Sequence, residues 1–425
     1  MELSDEAVGV IGVIALLTLV LLGVRVYIAA ALVGLVGLVT MIGWGPGAGI
    51  VGTIPHSKSA AYTLSVLPMF ILIGYLAFYA GITGAVFDAA RKWFGWMPGG
   101  LAVASVMATA GFAAVSGAST ATAAVFARVA IPEMLAAGYA PRLAAGVVAA
   151  GGTLATLIPP SAILVIYAII VEESVGQLLL AGFIPGLVSA LIYVAIIVLW
   201  STIDPSIGKP IHGHTWGERF RSVPGTFPVI LVIVIIFSAM YAGWATPTEA
   251  GALGAFVVFL LALLRGMRWA NLKEALIETA KLTVMIFSLI WGVLIFVRFL
   301  GFAGLPEAFT SWIVALPYPP IVIMIMILLG YAVLGMFMDA IGMLLLTLPV
   351  VYPAVVALGY DPIWFGIVVV KMAEVCLVTP PIGLNCFVVA AVRPDIPVST
   401  VFRGIAPFVV ADFITIGVFL AFPAV

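Results

Sequence analysis

The sequence predicts an all-α polytopic membrane protein made of two inverted-topology repeats, each with a re-entrant hairpin and a broken helix. Three observations carry that prediction. First, 64% of the 425 residues are hydrophobic and 8% are charged, against about 25% charged in an ordinary soluble chain, and apolar stretches long enough to span a bilayer recur along most of the length. Second, the chain matches itself at one fixed offset. Pro98 pairs with Pro319, Pro132 with Pro353, Gly138-Tyr139 with Gly359-Tyr360, Pro141 with Pro362, and Pro159-Pro160 with Pro380-Pro381, all 221 positions apart. Helix-breaking residues in ungapped register mark an internal repeat, a common plan in transporters. Third, Glu172 falls opposite Arg393 at that offset. Arg25, Arg91, Lys92, Lys209, Arg219, Arg221, Arg265, Arg268, Lys273, Arg393 and Arg403 all fit the cytoplasmic side under one alternation. Their repeat equivalents then face outside, as do both termini, so the repeats are inverted.

The elements follow in order. Spans are expected at 8–24, 27–43 and 64–82, then a hairpin at 100–135, a broken span at 141–171 and a full span at 178–200. A polar loop, 201–227, leads to spans at 228–243, 248–265 and 277–300, a hairpin at 319–357, a broken span at 362–392 and a last span at 402–423. Two segments between spans read as in-plane arms: the outside stretch carrying Lys58, the main exception to the charge alternation, and the charged, amphipathic "RWANLKEALIETAKL" inside. The N-terminal "MELSDEAVGV" is acidic and lacks the basic region of a cleaved signal peptide, so the first apolar run is expected to be retained. Trp44, Trp93, Trp200, Trp244 and Trp312 lie near span ends, as interfacial anchors do.

Each hairpin is expected to turn back inside the membrane, because its tip carries small, polar or acidic residues: "VSGASTAT" at 115–122 and "GMFMDAIG" at 335–342. Non-helical backbone is tolerated at that depth only where protein or a cavity covers it. The breaks, "GGTLATLIPPS" and "VCLVTPPIGLN", are twins. A proline removes a donor and frees a carbonyl one turn earlier. Freed carbonyls with Thr and Ser hydroxyls suit a hard cation such as Na⁺, and the half-helix that restarts offers N–H groups to an anion. One tip and one break per half should therefore meet near the midplane.

Individual side chains have two readings each. Ser116, Ser119 and Thr120 are site residues or small-residue packing. Asp339 is an intramembrane carboxylate at a tip, which points to an ion or substrate role. Lys371 and Glu374 stand i, i+3 on one helix face and are a structural pair or part of the site. Arg298 could hold an anion or snorkel from a span end. Asn385 follows the second Pro-Pro by four residues and faces the break. His56, His212 and His214 lie in loops without metal-ligand spacing, and Cys376 and Cys386 share one intramembrane region, which argues against a disulfide framework.

The stretches "SGASTATAAVFARVAIPEMLAAGYAPRLAAGVVAAGGTLATLIPPSAILVIYAII" and "GMFMDAIGMLLLTLPVVYP…VKMAEVCLVTPPIGLNCFVV" resemble the large membrane subunit of tripartite ATP-independent periplasmic (TRAP) transporters, over nearly the whole chain. The resemblance implies an elevator-type ion transporter fold and Na⁺-driven import of a small organic acid across the bacterial inner membrane. It also implies a periplasmic substrate-binding protein and a small four-helix membrane subunit, here expected as a separate chain. It implies scaffold helices and an arm at 1–64, a transport half at 65–200, the cytoplasmic loop at 201–227, scaffold and arm at 228–285, and a second transport half at 286–425. Carried over by motif, Ser116, Gly117, Ser119, Thr120, Gly152, Thr153 and Pro159 would form one Na⁺ site, and Gly335, Asp339, Thr379, Pro380, Gly383 and Asn385 the other. Substrate would lie between the tips, against Ser119, Ser161, Arg298, Asp339 and Asn385. Ile382 stands where the first break has Ser161, so the two ion sites need not be alike.

Other classes fare worse. A carrier of related architecture that works alone or uses protons, with Asp339 and Glu374 as a relay, is the main alternative. No HExxH, no nucleophile–base set and no P-loop is present, which disfavours an intramembrane enzyme and ATP-driven transport. The net charge of −1 suggests no nucleic-acid partner, and the paired breaks favour alternating access over a channel.

Overall fold

In a computed structural model that describes residues 4–423, the chain is helical throughout, with no strand among the described residues. The first repeat begins with α1 (Asp5–Leu21), α2 (Val26–Ile42) and α3 (Trp44–Ser59), then α4 (Val66–Tyr79), entered through a 3₁₀ turn, and α5 (Ile82–Phe94). The first hairpin is α6 (Gly100–Ser116) and α7 (Ser119–Ala136). The first broken helix is α8 (Pro141–Thr153), a 3₁₀ turn at Leu154–Thr156, and α9 (Ala162–Val171). The short α10 (Val175–Ala181) and α11 (Phe183–Ile203) complete this half. The second half runs through α12 (Trp216–Tyr241), α13 (Pro247–Leu264), α14 (Trp269–Phe302) and α15 (Leu305–Val314). Its hairpin is α16 (Pro320–Gly335) and α17 (Ala340–Ala357), and its broken helix is α18 (Pro362–Val378) and α19 (Leu384–Val392), followed by α20 (Val398–Ala421). Among the described residues, seven helices are long and apolar enough to cross a bilayer, the 3₁₀ entry and α10 being counted with α4 and α11.

The helix pairs and interruptions fall at the expected residues, but four elements differ. The expected loop 201–227 is shorter, because Thr215 and Glu218 form a reciprocal capping box that starts α12 at Trp216. The second arm is not separate: it fuses with the following span into the 34-residue α14. No glycine or proline interrupts 269–291, whereas the first arm carries Gly45, Pro46, Gly47, Gly49, Gly52 and Pro55 and stops at Ser59. The amphipathic α5 and the short α15 were not expected as helices of their own.

The buried centre is made by the broken helices. Residues 143–168 and 365–378 are buried without interruption, while α1, α12 and α13 keep large apolar side chains such as Leu21, Val234 and Leu264 exposed, as lipid contact requires. The two repeats interlock. The first hairpin packs on α8 of its own repeat and on α19 of the other; the second hairpin packs on α18 and on α9. Glycines let backbones touch where repeats cross. A Cβ on Gly404 of α20 would lie 1.8 Å from the Arg142 carbonyl oxygen, and one on Gly146 of α8 would lie 2.4 Å from Gly404. Between α2 and α14, Gly34 meets Phe296, and Gly292 meets the Tyr27 carbonyl. Close approach of small residues is what holds helices together where lipid is as apolar as the side chains.

Gly404→Ala should therefore lower the melting temperature of the detergent-purified protein, by the equivalent of about 1–3 kcal/mol. Gly417→Ala on the same helix, where a Cβ meets nothing within 4 Å, should not lower it.

Candidate functional site

At the first break α8 stops at Thr153, one 3₁₀ turn follows, and the backbone is non-helical until Ser161 caps α9. All of 151–161 is buried, so every polar group needs a protein partner. The hydroxyl groups supply them. Thr153 Oγ1 bonds the Ala150 carbonyl at 2.7 Å, and Thr156 Oγ1 bonds the Thr153 carbonyl at 2.8 Å. Ser161 Oγ donates to the Thr156 carbonyl and accepts the Leu164 N–H at 3.2 Å. The Pro159–Pro160 and Pro380–Pro381 peptides are both cis.

The first tip rests on this break. Gly117 closes the hairpin with φ +61°, and a Cβ there would sit 2.6 Å from the Pro160 carbonyl oxygen. Glycine is required for both reasons. Its carbonyl accepts from the Ala162 N–H at 3.4 Å, and Ser116 Oγ lies 2.9 Å from Thr122 Oγ1. Gly152 lets α8 lie against Ala123 and the Ser119 carbonyl of α7. Ser116, Gly117, Ser119, Gly152, Pro159 and Ser161 are thus one junction. Thr153 borders it but turns its hydroxyl toward Tyr193, at 3.2 Å. Thr120 is exposed.

The sequence grouped Asn385 with the second tip, and the structure places it at the first. Its Nδ2 donates to Ser119 Oγ at 2.8 Å and to the Ala149 carbonyl at 3.2 Å, while its Oδ1 is buried without a partner. The other second-half residues are more dispersed. Gly335 packs on Cys376 of α18. Asp339 is half-buried and caps α17 by accepting the Gly342 N–H at 3.0 Å. Thr379 Oγ1 bonds the Val375 carbonyl, Pro380 and Pro381 are exposed, and Gly383, at φ +46°, backs onto Phe402. No hydrogen bond joins Asp339 to 379–385 among the described residues.

Arg298 is exposed on α14 without a hydrogen bond or ion pair among the described residues, beside Phe296 and Phe299, which pack on α1 and α2; it does not reach the junction. A different arginine lines the approach. A cavity of about 250 Å³ runs from Ser116 and Ala118 at the first tip, between α4 and α7, to Tyr75, Tyr79, Arg128 and Glu278. Glu278 is paired with Lys281 at 2.8 Å, whereas Arg128 has no ion-pair or hydrogen-bond partner among the described residues.

Lys371 and Glu374 do pair, with Nζ 2.5 Å from Oε2, and they belong to a larger buried network. Lys371 Nζ also bonds Asp412 Oδ1 of α20 at 2.7 Å and Ser189 Oγ of α11 at 2.5 Å. Tyr193 donates to Asp412 Oδ1 at 2.5 Å, and Glu374 Oε1 is 2.6 Å from Thr156 Oγ1 of the first break. Lys371, Glu374 and Asp412 are each 0% exposed. Sequence reasoning missed Asp412, Tyr193 and Ser189, and it placed Thr156 in the first break without its tie to Glu374. Asp412 was detectable as the one acid inside an apolar 24-residue helix, but its partners, Lys371 and Tyr193, come from two other helices.

With this geometry in view, the comparisons with known proteins are decisive. The family model of the tripartite ATP-independent periplasmic transporter, DctM component, matches residues 13–425. The chain belongs to this family. It is 34% identical over 369 residues to the C4-dicarboxylate TRAP transporter large permease protein DctM of Pseudomonas aeruginosa, covering 86% of each chain. It is 32% identical over 365 residues to the sialic acid large permease SiaM of Vibrio cholerae, covering 85% of this chain and 84% of that one. The ectoine large permease TeaC of Halomonas elongata matches at 29% over 423 residues, 97% of this chain and 96% of its own length. Among solved structures the fold is that of the Alcanivorax borkumensis YdaH transporter (TM-score 0.58, 14% identity, 89% of both chains). It is also that of the Neisseria gonorrhoeae MtrF efflux pump (TM-score 0.55, 14% identity, 89% of this chain and 84% of that one). This TRAP large permease is accordingly a multi-pass membrane transporter subunit and not an enzyme. Its family works with a small membrane subunit and a periplasmic binding protein.

Asp412→Leu leaves the Lys371 ammonium with one fewer carboxylate in a dry interior, and should cost about 3–5 kcal/mol of stability. Phe413→Leu, at an exposed neighbour, should change little. Thermal melting of the two variants beside wild type checks this, and a wild-type melt for Asp412→Leu would rule out the ion pair as the tie between α18 and α20.

Proposed function

We propose that this permease subunit performs Na⁺-coupled import of a small organic acid across the bacterial inner membrane, with substrate handed over by the periplasmic binding protein and carried by an elevator-like movement of the hairpins and breaks. Both termini are read as periplasmic. The observation that supports this most is the first junction. There a re-entrant tip, a broken helix and Asn385 of the opposite repeat converge, and Asn385 Oδ1 is a buried oxygen with no partner. Asn385 Oδ1, the Ser119 hydroxyl and the Pro160 carbonyl are neutral oxygen donors of the kind a hard monovalent cation takes. The donor set therefore fits Na⁺, with these residues and the Ser116–Ser119 tip holding it.

In the transport cycle, Na⁺ would supply positive charge against the anionic substrate and a downhill gradient to drive its entry. The chain does the rest. The Gly117 turn sets the tip directly on the break, so binding at one is felt by the other. Asn385 ties the second repeat to the first tip. The unpaired Arg128 offers a bidentate donor to a carboxylate entering the cavity, the role the sequence reading gave to Arg298. Ser161 is fully engaged as a cap and contributes by fixing the start of α9. Asp339, as the cap of α17, places a carboxylate at the second tip. Relatives named for C4-dicarboxylates, sialic acid and 2,3-diketo-L-gulonate support an organic-acid substrate.

Uptake in proteoliposomes containing the small subunit, with the binding protein outside, should require an inward Na⁺ gradient. Uptake that persists without Na⁺, or follows a proton gradient alone, would establish the stand-alone or proton-coupled alternative. Asp339→Asn keeps a good helix cap while removing the charge, and should weaken the Na⁺ dependence without loss of folded protein; unchanged Na⁺ dependence would make Asp339 structural. Arg128→Gln should raise the substrate KM about tenfold, the loss of one charge-assisted hydrogen bond, and an unchanged KM would remove Arg128 from the substrate path.

A further inference from the structure

The two breaks share their prolines but not their supports. Thr156 of the first break is held from outside its own repeat, by Glu374 Oε1 at 2.6 Å, and its carbonyl accepts from Ser161. Glu374 is in turn held by Lys371, which is anchored on two further helices through Asp412 and Ser189. At the repeat offset, Glu374 corresponds to Thr153, Lys371 to Ala150, Thr156 to Leu377 and Ser161 to Ile382. Every member of this support therefore lacks a functional counterpart in the other direction. Consistent with that, the first break is buried throughout, while residues 379–382 range from half-buried to exposed and carry one local bond, from Thr379 to Val375.

We propose that Glu374 is a positioning residue that clamps the first break through Thr156, so that the first break is a preformed, fixed element and the second break is the one that rearranges when ligand binds. The physical basis is the difference in cost of opening. Moving Thr156 away leaves a buried carboxylate oxygen without its hydroxyl partner, which is expensive in a dry interior. Moving Thr379 exchanges one local bond at a half-exposed position for another. Strained or unwound segments that are over-determined by their surroundings stay put, and weakly held ones supply the motion.

Hydrogen–deuterium exchange of the full chain in nanodiscs, in NaCl or in KCl, tests this. In wild type, amides of 154–162 should exchange slowly in both salts, while those of 379–386 should exchange fast in KCl and slow in NaCl. Thr156→Val keeps the side-chain shape and leaves the Lys371–Glu374–Asp412 cluster intact; it should speed exchange over 154–162 about tenfold or more, with α6 unchanged. Glu374→Ala should do the same locally, and Glu374→Gln, which can still bond the Thr156 hydroxyl, should restore the wild-type rate. In uptake, Thr156→Val should raise the half-saturating Na⁺ concentration while keeping the maximal rate. Wild-type exchange over 154–162 in Thr156→Val, or Glu374→Gln behaving like Glu374→Ala, would overturn the clamp. Salt-independent exchange at 379–386 would overturn the mobile second break. The uptake readout and the NaCl effect rest on the Na⁺-coupled reading above, whereas the variant exchange rates in KCl do not, so failure of the clamp and failure of Na⁺ coupling give different results.

Discussion

The rest of this structure depends on one requirement: a backbone that leaves the helix inside an apolar interior must still satisfy its polar groups. The first break meets it with three hydroxyls and a carboxylate. Thr153 and Ser161 bond neighbouring backbone, and Thr156 bonds backbone and reaches Glu374. A carboxylate in that position must itself be balanced, and Lys371 does so from one helical turn away. The ammonium then draws in Asp412 and Ser189, so that an unwound stretch of about eight residues ends up tied to α11, α18 and α20. Breaking the helix and building the charged network are two sides of one constraint.

The same requirement explains how the repeats divide the work. Each hairpin packs between the leading half-helix of its own repeat and the trailing half-helix of the other. That exchange brings Asn385 to the first tip and gives the first junction residues from both halves. Two-fold architecture does not impose two-fold chemistry. The first junction is dry and crowded, with Gly117 and Gly152 admitting backbone contacts that no side chain would permit. The second tip is capped by an acid, and the second break carries an exposed Pro-Pro. An asymmetric pair of this kind lets one half serve as a reference body for the other.

Helix–helix contacts away from the breaks obey a different rule. With lipid outside, no hydrophobic driving force selects one helix neighbour over another, so close approach at glycines does. Gly34 and Gly292 fasten α2 to α14, and Gly146 and Gly404 fasten α8 to α20. The fusion of the second arm into α14 and the stop of the first arm at Ser59 follow from local composition alone, since glycines and prolines crowd one and are missing from the other.

Local physics is what a sequence displays, and here it was enough for the plan. Proline register, tip composition and charge flanks determined the repeat, the hairpins bent at Gly117 and near Asp339, and the breaks at Pro159 and Pro380, because each of these is set by residues within one or two turns of itself. What only the tertiary structure decided are the encounters between segments far apart in the chain. Asn385 meets Ser119, Glu374 meets Thr156, and Lys371 meets Asp412. Arg128 rather than Arg298 lines the cavity beside the first tip. A lone acid in an apolar helix announces that it needs a partner, but not which one. The partner is selected by how the interlocked repeats pack, and that is a property of the whole interior.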